Sequence, residues 1–90
     1  MIIYKYPLTI GKIMMFTWGE GSKVVHADRL DGYQMWVMHP FEETSSPNED
    51  VKVECRRFVI ASTGQEIVDG AEHVSTIIDN PFVWHLLEIP

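Results

Sequence analysis

Ninety residues are enough for one domain with one small core, and too few to enclose a deep catalytic cavity. Thirteen acidic against seven basic side chains give a net charge of −6, which argues against the basic face that nucleic-acid backbone binding requires. The single cysteine, Cys55, has no intramolecular partner and cannot build a multi-cysteine zinc site, so the fold must rest on packing, and the reducing cytosol is the expected compartment.

The opening MIIYKYP is too short an apolar run for a signal peptide or a membrane span. Residues 3–6 are β-branched and aromatic and end at Pro7, which predicts a first strand. Met14, Phe16 and Trp18 alternate with Ile13, Met15 and Thr17, the period of a strand with its large side chains on one face. A Gly-Glu-Gly-Ser turn follows at 19–22; without a following lysine and helix it is not a phosphate loop. Residues 24–28 and 33–38 flank Asp31-Gly32, the dipeptide favoured in tight hairpins, and predict an antiparallel pair. Residues 41–50, FEETSSPNED, read as a long acidic loop within a single domain spanning 1–90.

Beyond that loop, residues 51–61 alternate again. Val53, Cys55, Arg57, Val59 and Ala61 share one side, and Lys52, Glu54, Arg56, Phe58 and Ile60 share the other. Cys55 between Val53 and Val59 reads as a small core hydrophobe; if Phe58 and Ile60 face the core instead, Arg57 points out and Arg56 lies at the core margin. Residues 73–78 and 82–89 form the last strands, separated by Asp79-Asn80-Pro81. Helix competes at 65–73 and near the C-terminus, but Gly70 interrupts the first, and Phe82 and Val83 favour strand in the second. The expectation is a mainly β domain, or α+β with one short helix. Its architecture would be a small antiparallel β-sandwich or partly open barrel of six to seven short strands.

Three segments in order, IYKYPL at 3–8, FVIASTGQ at 58–65 and PFVWHLLE at 81–88, resemble a family of small uncharacterised proteins encoded by bacteriophages and prophages. Its members carry an opening like IYKYPL, a turn like GTGHPI after a central strand and an ending like FVWHLFE. This chain has Ser62, Gln65, Glu66 and Leu87 where that pattern has glycine, histidine, proline and phenylalanine. The resemblance implies a phage accessory protein acting inside a bacterial host.

The chemistry-bearing residues point to binding rather than catalysis. His26, His39, His73 and His85 never fall at the close spacing of zinc motifs, so no metal site and no cofactor is expected. No nucleophile stands beside a base in any motif, so the protein is not expected to be an enzyme. Residues 34–38, like 14–18, are apolar on both faces, whereas one core needs only one; Tyr33, Trp36 and Met38 are therefore candidate partner contacts. Glu42 and Glu43 in the acidic loop join them, either as solubilising charges or as mimics of nucleic-acid phosphates offered to a basic groove. The expected function is a non-enzymatic accessory protein that binds a host protein to inhibit antiviral defence or redirect host machinery. The alternatives are a minor virion or assembly component and a sponge for a small nucleotide signal. The sponge would use Arg57, Thr63 and the ring of Trp84 in a cleft between subunits of a homo-oligomer.

Overall fold

The structure, a computed structural model, describes residues 1–40 and 52–90. Seven strands and no helix occur among them: β1 (Ile2–Pro7), β2 (Met14–Gly19), β3 (Lys23–Arg29), β4 (Tyr33–His39), β5 (Val53–Ser62), β6 (Glu72–Asp79) and β7 (Phe82–Ile89). They form two antiparallel sheets, ordered β1-β4-β3 and β2-β5-β7-β6, so the architecture is a small sandwich and the barrel alternative falls away. The acidic loop at 41–50, with Glu42 and Glu43, lies outside the described residues.

The β3–β4 hairpin closes as its Asp-Gly pair predicts. Asp31 and Gly32 both take positive φ (53° and 100°), and the Gln34 side-chain amide donates to the Leu30 carbonyl at 2.5 Å. The helix that competes over 65–73 does not form. Gly70 sits at φ 87° near the ring of Pro90, and Ile67 and Val68 remain exposed, so this segment has no buried stripe to drive a helix.

Period-two alternation decides which side chains meet in the core. Ile2, Tyr4 and Tyr6 of β1 pair with His39, Val37 and Met35 of β4, while Met14 and Phe16 of β2 pair with Phe58 and Arg56 of β5. Met35, Val37, Phe58, Ile77 and Leu86 are fully buried. Trp18 stacks on Phe16 with centroids 5.1 Å apart and approaches Tyr6 at 5.4 Å and Phe58 at 5.6 Å. Of the two alternations open on β5, that with Phe58 and Ile60 inward holds. The core reading of Cys55 is therefore overturned: its thiol lies on the outer, exposed face, because two large apolar residues bury more area than a cysteine would.

Arg56 is the charged exception on the inner face. Its guanidinium makes a two-pronged ion pair with Glu88 of β7 (2.8 and 2.7 Å) and donates to the Ser22 carbonyl in the β2–β3 turn. It lies over the rings of Trp18 and Phe58, 5.4 and 5.7 Å from their centroids. The Glu88 bond is the main reason its pKa rises above the usual value, with burial opposing. Ser22 continues the chain. Its hydroxyl donates to Gly19 O at 2.8 Å, so at the 2.7 Å contact with His39 the imidazole Nδ1 must donate. Nε2 of His39 then accepts from the Tyr6 phenol at 2.7 Å.

Two outcomes check this interior. Glu88→Leu, which leaves Arg56 without its counter-charge, should cost about 2–4 kcal/mol in denaturant unfolding, and Arg56→Met combined with Glu88→Leu should cost less than Glu88→Leu alone. Cys55 in the native protein should react with a thiol-disulfide indicator as fast as in the unfolded chain; slow, unfolding-limited reaction would place it back in the core.

Candidate functional site

Two surfaces emerge, one on the outside of each sheet. On the three-stranded sheet, central strand β4 turns Gln34, Trp36 and Met38 outward. Registration sets Lys5 of β1 and His26 of β3 on either side of Trp36, and Ile3 and Lys23 on either side of Met38. The Trp36 and His26 rings stand 5.5 Å apart. Lys23 and His26 are three residues apart and would face opposite sides of a regular strand. A β-bulge between Val24 and His26 brings both outward, and Val25 is left 45% exposed. The result is an apolar strip, with Ile3 55% exposed, flanked by two of the four lysines of a net-acidic chain.

Tyr33 does not share this strip. It packs against the core, and its phenol donates to Asp79 Oδ2 of β6 at 2.6 Å, a bond between the two sheets. Arg29 Nη1 also reaches Asp79, at 3.4 Å. Hydrogen bonding to Asp79, then burial and the carboxylate's charge, push the Tyr33 pKa above 10, while Trp84 and Arg29 pull the other way. The Trp84 indole nitrogen is buried without a hydrogen bond among the described residues.

The second surface is a shallow, open cleft of about 400 Å³ on the outer face of the four-stranded sheet, lined by Ser62, Thr63, Gln65, Ile67, His73 and His85 among others. Here Thr63 Oγ1 contacts His85 Nε2 at 3.1 Å and donates to the Val83 carbonyl at 3.4 Å. On the far side of the ring, His85 Nδ1 stands 3.4 Å from His73 Nε2 and 3.4 Å from Thr76 Oγ1, and His73 Nε2 is 3.1 Å from the same hydroxyl. Another bulge, between His73 and Ser75 in β6, is what lets His73 and Thr76 share a face three residues apart. Spacing in the sequence therefore concealed this cluster, and no motif would have revealed it.

Arg57, Thr63 and Trp84 do not converge. Arg57 lies six residues along an extended chain from Thr63, about 20 Å away, and Trp84 packs against the core on the sheet face opposite its neighbour His85. Among the described residues no three His, Cys, Asp or Glu side chains gather as a metal site, and no helix is long and apolar enough to cross a membrane.

These features define a small all-β sandwich with an aromatic-cationic face on one sheet and a two-histidine cleft on the other. The chain belongs to the DUF7352 family, a domain of unknown function whose family model matches residues 1–90. No curated protein and no solved structure matches it.

The Tyr33–Asp79 bond has a checkable pH signature. Because the neutral phenol donates and its pKa is raised on folding, the bond's contribution to stability is complete below pH 10 and is lost as pH rises through the higher folded-state value. Absorbance titration of the parent and of Asp79→Asn should differ by one tyrosine, Tyr33, whose ionisation moves back toward 10 in the variant.

Proposed function

We propose that this protein is a non-catalytic binding module of phage origin that captures a bacterial host protein, in the host cytoplasm, through the outer face of the β1-β4-β3 sheet. The capture would blunt antiviral defence or redirect host machinery. The observation that carries the reading is the row of Trp36 and Met38 on the central strand, half-buried and flanked by Lys5, Lys23 and exposed Ile3. Tryptophan and methionine at the centre of a patch, with long cationic side chains at its rim, suit a partner surface that is apolar in the middle and carboxylate-rich around it. The resemblance to small phage and prophage proteins supports a host protein as that partner. The net charge of −6 makes the two lysines stand out locally, since the rest of the molecule would repel an acidic partner.

A second reading, a small-ligand binder, draws on the Thr63–His85–His73 cleft, which offers hydrogen-bonding groups beside apolar Ile67 and Leu87. It would be supported by a rise in melting temperature with a nucleotide at high concentration.

For the leading reading, Trp36→Ala and Lys5→Glu/Lys23→Glu should each abolish capture of the partner from host lysate, with melting temperatures within a few degrees of the parent. A partner retained by both variants would sink the assignment of this face, and a collapse in stability of Trp36→Ala would make the indole a structural residue.

A further inference from the structure

The cleft carries an inference independent of the docking face, because it lies on the other sheet. We propose that His73 and His85, with the hydroxyl of Thr76, form a binding site for one divalent transition-metal ion of the tetrahedral, zinc-like class.

The geometry of three atoms is the argument. His73 Nε2, His85 Nδ1 and Thr76 Oγ1 stand 3.4, 3.1 and 3.4 Å from one another. Two nitrogens each ~2.0–2.1 Å from a tetrahedral ion are ~3.3–3.4 Å apart, so this triangle has close to the dimensions of one face of a zinc coordination tetrahedron. Two nitrogens at right angles, as in square-planar copper or nickel sites, would stand only ~2.9 Å apart, closer than the 3.4 Å between His73 Nε2 and His85 Nδ1. The fourth vertex is left for water or an exogenous ligand, as in zinc sites that keep an open position.

Proton accounting at His85 points the same way. Thr63 gives its hydroxyl proton to the Val83 carbonyl, so the 3.1 Å contact with His85 is supplied by the imidazole Nε2–H. The neutral ring then holds its lone pair on Nδ1, aimed at His73 and Thr76. Thr63 thus occupies the place of the outer partner that fixes the tautomer of a metal-binding histidine. The β6 bulge and the β6–β7 register set these positions from the backbone, so the triangle is in place before any ion arrives.

The test is calorimetric titration of the whole protein with Zn²⁺, with Co²⁺ as a spectroscopic probe. One equivalent of Zn²⁺ should bind. Affinity should fall at least tenfold in His73→Ala and in His85→Ala, and should be unchanged in His26→Ala, whose ring lies on the other sheet beside Trp36 and Asp28. Co²⁺ should give the intense visible bands of a tetrahedral ion, bleached by added Zn²⁺. No saturable binding by the parent protein would overturn the proposal, as would binding that survives both histidine substitutions, or a pale six-coordinate Co²⁺ spectrum. Melting curves identify any variant that fails to fold, in which case His73→Gln and His85→Gln take its place and are judged by the same outcomes.

Discussion

A run of polar contacts through the interior, Glu88–Arg56–Ser22–His39–Tyr6, is the constraint on which the arrangement of the two sheets depends. Glu88 and Arg56 belong to one sheet, His39 and Tyr6 to the other, and Ser22 sits in the turn that passes the chain between them. Each group in this run would be costly to bury alone. Arg56 is tolerated because its charge meets a carboxylate and a carbonyl and its plane lies against Trp18 and Phe58; His39 is tolerated because both ring nitrogens are satisfied. Apolar packing would accept many relative positions of the sheets at similar energy, whereas these contacts accept few.

The two β-bulges have the opposite character: they leave the core alone and shape the outside. In β3 the extra residue puts His26 beside Trp36 while Ala27 still turns inward, and in β6 it puts His73 beside Thr76 and His85 while Ile77 stays buried. A strand of strict period two could not place residues three apart on one face. Both candidate surfaces thus arise from the same local device, one on each sheet, at places where the ladder can lose a pairing without disturbing the buried rows.

Much of the fold could be read along the chain because its signals are local. Asp31-Gly32 marked a hairpin, and the alternation of Met14, Phe16 and Trp18 marked a strand with one heavy face. The segment at 51–61 was ambiguous for a definite reason: with Cys55, Val59 and Ala61 on one side and Phe58 and Ile60 on the other, both faces are apolar. Ala61 and Ile60 are in fact both buried. The site was less legible. Trp36 and Met38 were placed together because they are two residues apart on a strand, whereas Tyr33, at odd spacing from Trp36, turned to the core and to Asp79. Arg57, Thr63 and Trp84 could not be sorted, since which face of β5 and β7 looks outward depends on which sheet lies opposite.

By itself the sequence determined a small antiparallel β fold without an internal disulfide, with a hairpin at Asp31-Gly32 and more large aromatic residues than one sheet face can hide. Those properties follow from alternation, turn chemistry and composition, which act over a few residues. Only the tertiary structure decided that Arg56 is held inside and Cys55 outside, that Tyr33 joins the sheets, and that His73 meets His85 across a bulged pair of strands. Each of those outcomes depends on register and on the facing layer, interactions between segments distant along the chain that no local pattern encodes.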